Sequence, residues 1–185
     1  MTFPGGSNEL GISMSDVQNC AVCGEAAGKG SHPCGICARH VCKNCLEYVD
    51  TNAFSFFSRC PPELLLANYC PTCFDEKVLP QRVRYDELME KAKDVYFITK
   101  AYPGYVRVLR RHTKRVIVEK CDDRRETIVR MAFFAAELGF NSIIEAEVDS
   151  TKVRMGGRQS SLWHGSSMPA NIDGEQLERS SLRRI

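Results

Sequence analysis

Four pairs of cysteines, each with two residues between its members, are the feature that most constrains the fold of this chain. They are Cys20 and Cys23, Cys34 and Cys37, Cys42 and Cys45, and Cys70 and Cys73. A two-residue turn directs both sulfurs toward one ion, and a tetrahedral Zn²⁺ site takes four thiolates at about 2.3 Å. The four pairs therefore predict two closed, structural zinc sites per chain, whose metal supplies much of the local folding free energy.

The remaining sequence favours metal binding over disulfides. The chain has 185 residues and ten cysteines, nine of them between Cys20 and Cys73. Its opening sequence, MTFPGGSNEL, does not resemble a signal peptide, and no window approaches about 18 apolar residues. We therefore expect a cytoplasmic protein with reduced thiols. Redox CxxC motifs usually occur singly within a thioredoxin-like pattern, which this sequence lacks.

Two groupings of the pairs are compatible with the spacing. Sequential grouping places the first two pairs on one ion, whereas interleaved grouping joins the first pair to the third and the second pair to the fourth. Only four residues separate Cys37 from Cys42, and interleaving uses this short segment to tie both sites into one compact unit. We therefore expect zinc 1 on Cys20, Cys23, Cys42 and Cys45, and zinc 2 on Cys34, Cys37, Cys70 and Cys73.

The spacing CxxC-x10-CxxC-x4-CxxC-x24-CxxC, over residues 16–74, resembles that of a FYVE-type zinc finger, one of the cross-brace fingers. The resemblance implies this scaffold and, typically, recognition of phosphatidylinositol 3-phosphate through three motifs. Only Asp16 matches the WxxD motif, His32 and Cys34 are what is left of R(R/K)HHCR, and Asn68-Tyr69-Cys70 replaces RVC. Because arginines supply the charge-assisted hydrogen bonds to phosphate, the usual lipid ligand does not carry over.

Two related fingers are alternatives. A RING finger is similar at Cys70-Pro-Thr-Cys73 and at Val22, but Arg39 stands where a RING has histidine, and Cys34 would be left without a role. PHD fingers share the spacing and normally have histidine in place of Cys42. We expect His32 and His40 to pack beside the zinc or face solvent, and Cys60 and Cys121 to be ordinary thiols.

The insert between the third and fourth pairs, residues 46–69, is rich in phenylalanine and leucine. We expect it to pack on the zinc scaffold or against the second part of the chain, with a partner-binding patch as the alternative. Pro80 predicts a break, after which a linker helix runs through DELMEKAK.

The rest of the chain alternates strand and helix patterns. The Pro103-Gly104 turn predicts a connection between strands at 95–101 and 105–110, and a third strand follows at 115–120. Asp123 and Glu126 form a capping-box pattern that opens a helix ending at Gly139. Strand alternation predicts that Ile144, Ala146 and Val148 share one buried face, and Gly156-Gly157 predicts a hairpin turn.

The predicted fold class is a small zinc-stabilised cross-brace finger followed by an α+β domain with the order strands, one long helix, strands. The predicted divisions are a flexible terminus (1–15), the finger (16–79), the linker helix (80–94), the α+β domain (95–172) and a flexible tail (173–185). We expect the finger and the α+β domain to unfold separately. Residues 95–172 weakly resemble the small YbjQ-type domain, through AAELGFNSIIEAEVDS and SSLWHGSSMPANI. That resemblance implies self-assembly, hence a homo-oligomer as one candidate state.

Basic residues cluster between Arg107 and Arg115, at a predicted hairpin tip. The candidate anion contacts are Arg110, Arg111, Lys114 and Arg115. We do not expect nucleic acid as a partner, since 25 basic residues nearly balance 23 acidic ones. Eight thiolates and two Zn²⁺ ions would take the formal charge from +2 to −2. We expect at most weak contact with acidic membranes.

The sequence shows no GxSxG motif, phosphate loop or HExxH motif. Its predicted function is therefore a zinc-binding adaptor for protein–protein interaction or assembly, without catalysis. The alternatives are a RING-like ubiquitin ligase and a FYVE-like membrane module with a degenerate lipid pocket, which would place the protein at membrane surfaces.

Overall fold

A computed structural model describes residues 19–26, 28, 30–155 and 157–173. Asp16, the predicted terminus 1–15 and the tail beyond residue 173 lie outside the described residues. No helix within the described ranges combines the length and the apolar character that crossing a bilayer requires.

The cysteine-rich part is built from two short antiparallel ladders. Strand β1 (His32–Pro33) pairs with β2 (His40–Val41), and β3 (Glu47–Tyr48) pairs with β4 (Asn68–Tyr69). A single 3₁₀ turn, Pro62–Leu65, lies within the insert. Val41 is fully buried and packs in one cluster with Cys20, Cys34, Cys70 and Cys73. It lies in the four-residue segment between the second and third cysteine pairs.

Helical structure begins directly at the fourth cysteine pair. It comprises α1 (Pro71–Cys73), a π-helical stretch (Phe74–Val78) and α2 (Leu79–Lys93). The break predicted at Pro80 is therefore wrong, because Pro80 lies inside continuous helix. The Leu79 amide donates to the Phe74 carbonyl, five residues back. A proline lacks the amide and crowds the preceding turn, and the wider π turn accommodates both effects.

The α+β part contains one five-stranded sheet and one long helix. The strands are β5 (Tyr96–Thr99), β6 (Val108–Arg111), β7 (Val116–Cys121), β8 (Ser142–Met155) and β9 (Arg158–Ile172), and the helix is α3 (Arg124–Glu137). The sheet order is β5-β8-β9-β6, with β7 also paired to β9, and only β5 and β8 run parallel. The predicted α+β class and element order are confirmed.

Two predicted hairpins are absent from the described sheet. The segments joined by Pro103-Gly104 do not pair, since β5 lies beside β8 and β6 lies beside β9. Nor do β6 and β7 pair with each other, because both pair with β9: Arg111 faces Ala170 and Val116 faces Ser167. The basic segment is thus an interruption in one edge of the sheet, and the predicted hairpin tip was wrong.

The hairpin between β8 and β9 is confirmed, since Met155 pairs with Arg158, although Gly156 of the predicted turn lies outside the described residues. Strand β8, however, carries a bulge at Glu145, whose φ is 51°. The extra residue shifts the alternation by one. Ile144 therefore packs with Tyr96 in a small second cluster, whereas Val148 packs on the main core. The prediction of a single buried face through both residues is wrong for this reason.

The ends of α3 follow the predicted capping pattern. The Asp123 carboxylate accepts from the Glu126 amide at 2.7 Å, and the Glu126 carboxylate accepts from the Asp122 amide at 2.7 Å. Gly139, with φ of 75°, follows the helix end. The middle of α3 approaches β9 closely, and the fully buried Thr127 and Met131 lie directly over Gly165.

The insert, residues 46–69, packs against the α+β part of the chain. This confirms one of the two packing sites expected from the sequence. Phe54 and Phe57 belong to the same buried cluster as Phe133 of α3. The guanidinium of Arg130 on α3 lies 4.9 Å from the centre of the Phe56 ring. One hydrophobic core therefore extends from the cysteine-rich part to the sheet. Helices α2 and α3 contribute side chains to this core and contact each other.

Candidate metal centres

The eight paired cysteines lie in two groups of four. Tetrad 1 contains Cys20, Cys23, Cys42 and Cys45, and tetrad 2 contains Cys34, Cys37, Cys70 and Cys73. Within each tetrad all sulfur atoms lie within 4.8 Å of one another. The first pair thus lies with the third and the second with the fourth, which is the interleaved arrangement. Two tetrads are positioned to bind metal ions, in agreement with two sites per chain.

The sulfur spacing fits a tetrahedral metal. A tetrahedron with metal–sulfur bonds of about 2.3 Å has sulfur–sulfur edges of about 3.8 Å. The distance from Cys23 Sγ to Cys42 Sγ is 3.8 Å, and so is the distance from Cys37 Sγ to Cys70 Sγ. A disulfide requires about 2.05 Å, and all ten cysteines are free. Four sulfur donors suit zinc among the common divalent ions.

Tight turns at the first two pairs position the sulfurs. In the first turn the Gly24 amide donates to the Cys20 carbonyl at 2.9 Å, and the Cys20 amide donates to the Glu25 carbonyl at 2.8 Å. In the second, the Ala38 amide donates to the Cys34 carbonyl at 2.8 Å. We call these segments knuckle 1 (20–25) and knuckle 2 (34–39). Each CxxC sequence thus closes a small ring of backbone around its two sulfurs.

Hydrogen bonds lower the pKa and favour the thiolate form at Cys20 of tetrad 1 and at Cys34 and Cys37 of tetrad 2. The amide of Cys42, together with those of Cys23 and Val22, lowers the pKa of Cys20 to about 6. The Arg39 guanidinium lowers the pKa of Cys37 to about 6. A thiol with such a pKa is largely ionised at neutral pH, and metal ions bind the thiolate. Each tetrad therefore contains a sulfur ready to take the first metal bond.

Arg39 lies against tetrad 2. Its Nε donates to Cys37 Sγ at 3.4 Å, and its Nη2 lies 3.9 Å from Cys70 Sγ. The sequence alone marks this position only as one where a RING finger has a histidine, and it does not predict the contacts with two sulfurs. Aligning the two knuckles places Arg39 opposite Glu25, but the sequence does not show that the Arg39 guanidinium folds back onto the sulfurs.

The two histidines near the cysteines are outside both tetrads. His32 is exposed on β1, and the His40 carbonyl accepts from the Ala21 amide at 2.9 Å. Cys60 is half-buried at the edge of the main core, and Cys121 is fully buried within it. Burial raises the pKa of both thiols, so they stay protonated at neutral pH.

The candidate anion contacts are partly engaged within the chain. Arg111 and Arg115 donate to the two carboxylate oxygens of Glu145 at 2.9 and 3.1 Å. The Arg110 guanidinium lies 4.5 Å from the centre of the Phe140 ring. Lys114 is exposed. Glu145, which the sequence did not single out, therefore neutralises part of the basic segment.

Comparison of the chain with family models, curated proteins and solved structures found no match. Function is therefore inferred from the two tetrads and their surroundings.

Proposed function

We propose that the chain is a non-catalytic zinc-binding adaptor, in which tetrads 1 and 2 form a FYVE-type cross-brace finger. The interleaving of two four-sulfur groups is the observation that carries this proposal. A zinc ion with four thiolate ligands has no open position for water or substrate, so such an ion acts on structure. The finger then serves as a rigid platform that shares its core with the sheet.

Among cross-brace fingers, the FYVE type is favoured by the position of Cys34. A RING-like ligand set would omit Cys34. The burial of Cys34 and the closeness of its sulfur to those of Cys37, Cys70 and Cys73 support the FYVE-type set instead. The RING alternative requires a histidine ligand near residue 39, and there the guanidinium of Arg39 contacts two sulfurs.

The adaptor proposal needs a binding surface, and the β6–β7 edge of the sheet is the best candidate. Among the described strands, none covers the outer side of this edge, which carries the exposed side chains of Leu109 and Ile117. Unpaired strand edges present backbone donors and acceptors that a second chain can extend. The resemblance of residues 95–172 to the YbjQ-type domain implies self-assembly, and we propose a homo-oligomer through this edge.

Metal content and oligomeric state test the two halves of the proposal. Elemental analysis and X-ray absorption should give two zinc ions per chain with sulfur ligands alone. Sedimentation velocity should show an oligomer that Ile117→Lys dissociates and Val83→Lys, a matched change on exposed α2, does not. One zinc per chain or nitrogen ligation would contradict the finger, and a wild-type monomer would contradict the assembly. Ubiquitin-chain formation with a conjugating enzyme would favour the RING alternative instead.

A further inference from the structure

The two knuckles have the same backbone and opposite charges. In each, the residue after the second cysteine has positive φ, 75° at Gly24 and 59° at Ala38. In each, the first cysteine amide donates to the carbonyl two residues after the second cysteine, which belongs to Glu25 in knuckle 1 and Arg39 in knuckle 2. Structurally equivalent positions therefore carry an acidic side chain at tetrad 1 and a basic one at tetrad 2.

The tetrads also differ in exposure. Three cysteines of tetrad 2 are buried, with Cys34 and Cys70 at 1% exposure. In tetrad 1 only Cys20 is buried, and Cys23 is exposed. Among the described residues, no cationic side chain donates a hydrogen bond to a sulfur of tetrad 1, whereas Arg39 contacts two sulfurs of tetrad 2.

We propose that tetrad 1 is a modification site for soft electrophiles, which attack Cys23 first and release its zinc, while Arg39 protects tetrad 2. This inference rests on the proposed zinc binding. A Zn²⁺ ion with four thiolates carries a net charge of −2. Arg39 reduces that negative charge at tetrad 2, whereas the equivalent position at tetrad 1 carries the exposed, acidic Glu25.

Charge and hydrogen bonding act on the sulfur lone pairs. A guanidinium that donates to a sulfur already present as a thiolate withdraws electron density from it, which lowers its intrinsic nucleophilicity toward an electrophile. Partners outside the metal shell commonly change metal affinity by about 10–100-fold. Cys23 of tetrad 1 has neither a guanidinium partner nor the burial that excludes a reagent. Loss of the zinc ion from tetrad 1 would loosen knuckle 1, while tetrad 2 would continue to hold the start of the helix at Pro71.

Zinc release under N-ethylmaleimide tests the proposal on the full chain loaded with two zinc ions. A thiolate sulfur adds to the maleimide double bond, the adjacent carbon takes a proton from water, and the sulfur–zinc bond is lost. Released zinc is followed with a chromogenic chelator, and the modified cysteines are identified by peptide mass spectrometry. We expect two phases, one zinc each, with Cys23 modified in the first and Cys37 and Cys70 in the second.

Substitutions of Arg39 and Glu25, the equivalent positions in the two knuckles, should each change the rate of one zinc-release phase. Arg39→Gln should accelerate the second phase by about tenfold or more and leave the first unchanged. Glu25→Gln should slow the first by about two- to fivefold, the range of an exposed charge. Arg59→Gln, an exposed arginine in the insert, is the matched control and should change neither.

Several results would overturn the inference. They are a single release phase, modification of Cys37 or Cys70 as early as Cys23, or an unchanged second phase in Arg39→Gln. If Arg39→Gln does not load two zinc ions, the order of modification in the wild-type chain still decides. A wild-type chain that binds fewer than two zinc ions contradicts the proposed function itself, whereas two ions lost together contradict only this inference.

Discussion

Phe57 of the insert packs edge-on against Phe133 of α3, with ring centroids 5.8 Å apart. Tyr85 of α2 completes the group, at 5.3 Å from Phe57 and 5.0 Å from Phe133. Such aromatic pairs contribute about 0.5–1.5 kcal/mol beyond their buried area. This group joins the segment between the third and fourth cysteine pairs to the helix that covers the sheet.

Phe57→Ala should therefore destabilise the α+β part as well as the finger. Removal of a buried phenylalanine costs about 3–5 kcal/mol through lost burial and the cavity that remains. Chemical denaturation followed by both far-UV circular dichroism and fluorescence should show this loss. Tyr48→Ala, at a side chain that is 70% exposed, is the control and should change little. A Phe57→Ala chain as stable as the Tyr48→Ala chain would show that this aromatic group does not contribute to stability.

Cys70→Ser should lower the thermal stability of the whole chain. Separate unfolding of the finger and the sheet would let the sheet survive loss of a tetrad 2 ligand. Cys70, however, leads directly into the helix that carries Tyr85 and Leu88 to the shared core. Calorimetry of the zinc-loaded wild type should show one transition, and the variant should melt at lower temperature throughout. A transition of the sheet that persists at the wild-type temperature would support separable domains instead.

Gly24 and Ala38 occupy equivalent positions with positive φ, and exchanging glycine and alanine there should have opposite effects on stability. Left-handed backbone costs a residue with a Cβ atom about 1–2 kcal/mol, and glycine avoids this cost. Ala38→Gly should stabilise the zinc-loaded chain by up to about 1 kcal/mol, and Gly24→Ala should destabilise it by a similar amount. The two melting temperatures should move in opposite directions. Shifts in the same direction would mean that the knuckles differ in the loaded state.

Gly165 permits the close contact between α3 and the sheet. A Cβ atom there would lie 2.8 Å from Thr127 Cγ2 and 3.0 Å from both Met131 Cε and Met131 Sδ. Gly165→Ala should therefore destabilise the chain by about 1–3 kcal/mol, the usual range for overpacking. Thr127→Ser removes the nearer methyl group and should restore part of the loss in the double variant. Gly28→Ala, where no atom lies within 4 Å, is the neutral control. Additive effects of the two substitutions would exclude the proposed clash.

Local chemistry made much of this molecule predictable. The cysteine spacing indicated the interleaved groups because the four-residue link between Cys37 and Cys42 can then tie both sites into one compact unit. The cap of α3 was predicted because its hydrogen bonds join residues three or four apart, such as Asp123 and Glu126. The two-residue loop between β8 and β9 is local in the same sense.

Most of the predictions that were wrong concern pairing between strands that are far apart in the sequence. Nothing near β6 or β7 in the sequence reveals that both lie along β9, more than 40 residues away. The bulge at Glu145 depends on its two neighbouring strands, and the continuous helix at Pro80 depends on a π turn that no simple pattern marks. Arg39 was missed because its effect requires knowing how the knuckle folds back onto the sulfurs.

Binding to acidic lipids should be weak and unselective, and Glu145 should reduce it by neutralising Arg111 and Arg115. Recognition of a phosphoinositide needs several fixed cationic donors around one phosphate, each worth about 1.5–3 kcal/mol. At the position of the FYVE basic motif this chain offers His32 alone, and in the basic segment Glu145 binds Arg111 and Arg115. We therefore expect no preference for phosphatidylinositol 3-phosphate over other acidic lipids in co-sedimentation with vesicles.

Glu145→Gln should increase binding to vesicles of phosphatidylcholine and phosphatidylserine, because it removes the carboxylate charge that neutralises Arg111 and Arg115. Each basic residue near an acidic surface contributes about 1 kcal/mol, and salt screens this attraction over about 8 Å at physiological ionic strength. The gain should therefore be largest at low salt and vanish as salt is raised. Glu87→Gln makes the same change of charge on α2, away from the basic segment, and should have little effect. Equal gains in both variants would attribute the binding to net charge. Salt-resistant, selective binding of the 3-phosphate lipid by the wild type would require a phosphate pocket that the described basic residues do not form.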